Sequence, residues 1–194
     1  MQVSLRHAVL YSVDELGGRA NGKTYIQKLC FFVGKLTGQP FGFRAHYYGP
    51  YSDQVSAELG FLTSSGYLLE SRSGSGSAGV GGWEIARYNY RMTDAGMQAV
   101  KWLDEKYTAE STQIRDAIRR VLGAGDLNYV GLSFAAKTIW IIEHKNSPMT
   151  IDGIKDAARQ FKWNVSGDDV SKASEFLQKL DLVRVVGQPE RAQP

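Results

Sequence analysis

The segment from Tyr67 to Met92 constrains the fold more than any other part of the chain. "YLLESRS" (67–73) reads as a strand, "GSGSAGVGG" (74–82) is rich in glycine and serine, and "WEIARYNYRM" (83–92) alternates well enough to be a second strand. Two strands joined by so short a link form an antiparallel hairpin. Helical patterns stand on both sides, so the hairpin must bury one face against helices. The expected class is therefore mostly α with a small β element.

The helices follow from periodicity. Leu5, Val9, Val13 and Leu16, with Ala8, fall at helical spacing within Val3–Leu16, and Gly17-Gly18 ends that run. Thr24 and Gln27 have capping-box spacing ahead of a stripe of Ile26, Leu29, Cys30, Val33 and Leu36 that stops at Gly38. Gln39-Pro40 breaks the pattern, and Phe43 to Tyr48 reads as a short strand, in which at least one of Tyr47 and Tyr48 should face the core. Gly49-Pro50 turns the chain. Ser52 then caps a third helix with Val55, Leu59 and Leu62 inward and Gly66 at its end.

Three helices, a strand before the third and a hairpin after it make the order of a winged helix-turn-helix over residues 1–107, with Ser52–Ser65 in the recognition-helix position. Thr93 caps a fourth helix through Met97, Val100, Leu103 and Tyr107. A connecting helix and a Gly123-Ala124-Gly125 hinge (108–125) lead to a helical half (126–188) that reads as a second helix-turn-helix. In it, Leu132–His144 is strongly apolar, Thr150 caps one helix, Ser166 and Asp169 form a capping box on the next, and "LVRVV" closes as a strand. The two halves could also pack as one body.

The hairpin resembles the wing of MarR-type winged helices, whose Tyr-x-Leu-Thr-x-x-Gly pattern closes the second wing strand; here it is "YRMTDAG", with Met92 in place of leucine. "YIQKLCFFVGKLTG" followed by "HYYGPYSDQVSAELGFLTSSGYL" resembles the YwgA-like uncharacterised prokaryotic proteins and, more distantly, the Panacea antitoxin domain. The matching residues are Gln27, Lys28, Leu29, Phe32, Tyr48, Gly49, Pro50, Tyr51 and Ser52, within about Thr24–Leu69. Where the pattern has Leu-Leu-Tyr after Lys-Leu, this chain has Cys-Phe-Phe. The resemblance implies a winged-helix-like fold and, for Panacea relatives, neutralisation of a toxin by direct contact; it supplies no catalytic residues.

Chemistry is hard to find. His7, His46 and His144 are far apart and none stands at metal-ligand spacing; Cys30 lies on an apolar helix stripe; no P-loop or nucleophile elbow occurs. Adjacent acids at Asp14-Glu15 and Asp104-Glu105 point about 100° apart on a helix and are not expected to converge. Gly74, Gly76 and Gly79 match the dinucleotide fingerprint, but no helix follows to receive a pyrophosphate. The expectation is a non-enzymatic protein without cofactor or metal. One cysteine allows no internal disulfide, and no run of about 18 apolar residues or cleavable leader is present, so a cytoplasmic location off the membrane is expected.

Two partners then compete. For double-stranded DNA, Arg72, Arg87 and Arg91 flank the wing, Lys23, Lys28 and Arg44 could reach phosphates, and Tyr51, Ser52 and Gln54 stand where the third helix begins. The net charge is only +3, although Met1–Tyr51 holds six bases against two acids. For a protein partner, a toxin or a second copy in a homodimer, the outward face of Asp53, Ala57, Gly60, Phe61 and Ser64 lets another backbone approach closely. That face could instead pack against the C-terminal half of the same chain.

Overall fold

The computed structural model describes residues 3–73, 87–125 and 128–184. Among them are eight helices and three strands, in the order α1 (Leu5–Glu15), β1 (Arg19–Asn21), α2 (Lys23–Thr37), α3 (Asp53–Ser64), β2 (Leu68–Ser73), β3 (Arg87–Met92), α4 (Asp94–Lys106), α5 (Thr108–Gly123), α6 (Tyr129–Lys145), α7 (Ile151–Gln160) and α8 (Gly167–Lys179). The strands form one antiparallel sheet in the order β1-β3-β2. The expected wing tip, its glycine fingerprint and the end of "LVRVV" lie outside the described residues.

The sheet corrects one expectation. Its third strand is Arg19–Asn21, between the first two helices, and not Phe43–Tyr48. Only a single bridge, Arg44 to Tyr51, forms in the latter region, because Gly42 and Gly49 take φ of +65° and +96° and bend the chain at both ends. Outside a sheet the alternation rule has no hold. Tyr47 and Tyr48 are both exposed, their rings packed edge to face 4.9 Å apart.

Helix α2 is the centre of the molecule. Every residue from Ile26 to Gly34 is buried, whereas an ordinary surface helix buries one stripe. Ile26, Cys30 and Val33 join α1, α3, the sheet, α4 and α5 in one apolar cluster. Leu29, Phe31 and Phe32 join α6 and α8 in a second, where Phe32 meets Phe176 edge to face at 5.5 Å. The two halves of the chain thus share a core along this helix. Ala124, at the expected hinge, is packed into that second cluster. A smaller cluster of Ile141, Ile154, Ala158, Trp163 and Val170 holds α6, α7 and α8 together.

The caps at Ser52, Thr93, Thr150 and Ser166 all form, the last with the reciprocal Asp169 bond of a capping box. The Thr24–Gln27 box does not: α2 starts from Gly22 with no side-chain cap, and Gln27 is used elsewhere. Leu182–Arg184 are not in a strand. Asp14 and Glu15, at the end of α1, do converge on one cation, and Asp104 of α4, without Glu105, joins them: Arg115 bonds Asp14 at 2.8 Å, Glu15 at 2.5 Å and Asp104 at 2.9 Å. Those three carboxylates hold the Arg115 guanidinium charged and tie α1, α4 and α5 together.

Candidate nucleic-acid and partner interface

The α2–α3 corner is built by two adjacent polar residues inside the buried run of α2. Gln27 lies flat against the Ser52 backbone: its Nε2 donates to the Ser52 carbonyl at 2.8 Å, and its Oε1 accepts from the Ser52 N–H at 3.0 Å. Lys28 Nζ donates to the Pro50 carbonyl at 2.5 Å. Ser52 Oγ donates to the Phe41 carbonyl at 2.6 Å and accepts the Val55 N–H at 3.2 Å. Tyr51 OH and Gln27 Nε2 both meet Ser56 Oγ, at 2.5 and 3.1 Å. The turn from Tyr48 to Ser52 is thereby fixed to α2, and α3 leaves it in a set direction.

Lys28 and Ser52 are therefore removed from the surface contacts expected of them: they are 1% and 0% exposed and cannot reach the backbone of a DNA duplex. Burial, and the neighbouring charge of Lys137, push the Lys28 ammonium down to about 7. Lys137 is itself lowered by burial. Its chain fills the space beside Gly49, where a Cβ would stand 3.1 Å from Lys137 Cγ. From the C-terminal half, Trp163 Nε1 donates to the His46 carbonyl at 2.6 Å, so both halves grip the turn. The sequence carried a signal for this. A Gln-Lys pair inside an otherwise apolar helical stretch needs buried partners.

Beyond the corner, α3 packs on α1, α2 and β2. Its outward residues Asp53, Gln54, Ala57, Gly60, Phe61 and Ser64 are all exposed, so this face does not pack against the C-terminal half. Arg44 pairs with Asp53 at 2.7 Å, which neutralises the acid at the helix start. Gln54 folds over Gly42. Arg6 is held by Glu58 at 2.7 Å, with its guanidinium 3.9 Å above the Phe61 ring.

The sheet supplies the other candidates. Strand alternation puts Ala20, Tyr90, Met92 and Leu68 on the core side and Arg19, Asn21, Asn89, Arg91, Leu69 and Ser71 on the open side. Arg19 and Arg91 are direct cross-strand partners, both exposed. Arg72 lies on the opposite side and donates to Tyr88 OH at 2.6 Å. Arg87 opens β3 opposite Ser73; its side chain lies outside the described residues. Lys23, half-buried, sits in the first turn of α2. The sites expected from the sequence are thus dispersed: Arg91 on the open sheet face, Arg72 on its other side, Lys23 at the start of α2, Arg44 beside Asp53, the outward face of α3, and a buried corner that is scaffold.

The histidines have local roles: His7 Nδ1 meets Glu110 at 2.9 Å, and His144 stacks on Trp140. Cys30 is buried, and burial pushes its thiol up to about 12. Among the described residues, no three His, Cys, Asp or Glu side chains gather as metal ligands would, and no helix is long and apolar enough to cross a membrane. No protein-family model and no curated protein matches the chain.

Proposed function

We propose that this protein is a non-enzymatic winged-helix protein that binds double-stranded DNA as a transcriptional regulator or accessory factor, with α3 as the presented helix and the β2–β3 hairpin as the wing. Helix, strand, helix, helix and hairpin, with the first strand completing the sheet beside β3, support that assignment. Residues 126–188 would then form an attached helix-turn-helix-like unit.

The observation that carries DNA binding is the open sheet face. Arg19 stands directly opposite Arg91, a like-charged pair that costs stability by itself. Asn21, Asn89 and Ser71 surround the pair, and no acid shares the face among the described residues. A phosphate backbone would relieve the repulsion and use the neighbouring donors. Lys23 and Arg44 are the further candidates for backbone contact. Sequence readout would be weak, because Gln54 is the one outward residue of α3 suited to base edges.

Fluorescence anisotropy with a labelled duplex tests this. An Arg19→Ala, Arg91→Ala double variant should bind more weakly and flatten the salt dependence by roughly two phosphates' worth of slope. Absence of duplex binding by the unaltered protein at low salt would refute the reading.

A second reading, neutralisation of a protein such as a toxin through α3, rests on one feature. Phe61 is 41% exposed yet clamped by the Arg6–Glu58 pair, beside Gly60, which has open space above it. A preorganised aromatic on a face of small residues suits a close-packed helix of a partner or a second copy. Gly60→Arg should abolish such binding and spare the fold; an unchanged interaction would exclude this face.

A further inference from the structure

Between the first turn of α2 and the Tyr48–Tyr51 turn lies a cavity of about 80 Å³, lined by Lys23, Thr24, Lys28, His46, Tyr48 and Tyr51 among others. Two features of its lining, and one beside it, give it the character of an anion site. The first is Lys28. The residue is 1% exposed, it lines the cavity, and its one hydrogen bond goes from Nζ to the neutral Pro50 carbonyl; among the described residues it has no carboxylate partner. A buried cation without a counter-charge is costly.

The second feature is Lys137, half-buried against Gly49 on the far side of the same turn, which adds like charge to Lys28 and lowers its proton affinity further. The Asp169 carboxylate acts on Lys137. The third is the start of α2. Gly22 offers no side-chain cap, the first turn contains no acid, and Lys23 and Thr24 of that turn line the cavity. The positive end of a 15-residue helix therefore faces the same space as Lys28.

We infer that this cavity binds a small oxyanion, a carboxylate or phosphate group, between the buried Lys28 ammonium and the Lys23 and Thr24 end of α2. The space is several times what a single water needs and suits one such group with residual solvent. The site is separate from the open sheet face and from the outward face of α3, and it stands whether or not the chain binds DNA. Its place behind the turn gives an anionic small molecule a direct hold on the segment that orients α3.

The test is a titration of the full chain with sodium phosphate and, separately, sodium acetate, at constant ionic strength, followed by the amide resonances of Thr24, Tyr48 and Gly49. Saturable shifts with a dissociation constant of about 1 mM or below, weakened at least tenfold by Lys28→Met, are expected. Saturation by phosphate alone assigns a tetrahedral group, and by acetate alone a carboxylate. Failure of both anions to saturate, or undiminished affinity in Lys28→Met, overturns the proposal. Should Lys28→Met not unfold cooperatively, Lys23→Gln on the rim reads the same site: weaker binding supports it and unchanged affinity refutes it.

Discussion

Lys28→Met should change the pH dependence of stability in a direction fixed by the burial of the ammonium. In the folded chain the group titrates near 7, against 10.5 when solvated. Below pH 7 both states carry the proton and the folded state bears the full cost of a buried charge. Between pH 7 and 10.5 the unfolded state binds the proton and the folded state does not, so stability rises with pH at up to about 1.4 kcal/mol per pH unit. From pH 6 to pH 9 this adds roughly 2–3 kcal/mol to the wild-type chain.

Methionine retains most of the stem's packing and cannot titrate, so the variant lacks that contribution. It also leaves the Pro50 carbonyl without its donor, at a cost of about 1–3 kcal/mol that does not vary with pH. The variant should therefore be clearly less stable than wild type at pH 9 and close to it, or more stable, at pH 6. Paired urea denaturation curves at both pH values measure the difference, and titrations common to both proteins cancel. A wild-type-minus-variant difference that stays constant from pH 6 to 9 would refute the argument, since it would mean that Lys28 keeps an ordinary solvated proton affinity.

The remaining predictions concern the same corner. Gln27→Ala leaves the buried Ser52 N–H unpaired, while the Ser52 carbonyl keeps the Ser56 N–H, and should cost roughly 1–3 kcal/mol in urea unfolding, with loss of protection of the Ser52 amide in hydrogen exchange. Gly49→Ala adds a Cβ 3.1 Å from Lys137 Cγ at a φ of +96°, and should cost about 1–3 kcal/mol by the same measurement. Tyr47→Ala, at a side chain 68% exposed, should shift stability by less than about 0.5 kcal/mol; a larger loss would mean the ring is buried after all.

The helices were legible because their signals are local. Val55, Leu59 and Leu62 repeat at helical spacing and are buried, which also located the exposed face of α3 correctly. What failed were the features decided at long range. β1 is three residues, Arg-Ala-Asn, with only Ala20 buried, and it exists because β3 offers an edge 70 residues later in the chain. The aromatic run before Gly49 had the composition of a strand but no edge to join. Gln27 had the spacing of a cap residue, yet pairing the buried Ser52 backbone satisfied more polar groups than a box at the exposed start of α2.

The corner also changes what a resemblance through its motif can mean. Of the nine residues on which the sequence resemblance to the YwgA-like and Panacea pattern rests, Gln27, Lys28, Leu29, Phe32, Gly49, Pro50 and Ser52 are buried, Tyr51 is half-buried and only Tyr48 is well exposed. Gln27 and Lys28 tie α2 to the turn before α3, Leu29 and Phe32 pack α2 on α6 and α8, and almost none of the nine can touch a macromolecular partner. A chain with the same motif is thus expected to share the corner and the angle at which α3 leaves it, while its partner is decided by residues the motif does not contain. In the two readings proposed for this chain those would be the Arg19–Arg91 pair and the Ala57, Gly60 and Phe61 face. Exchanging them should redirect binding and leave the fold unchanged, whereas exchanging the motif should unmake the surface that both proposed partners require.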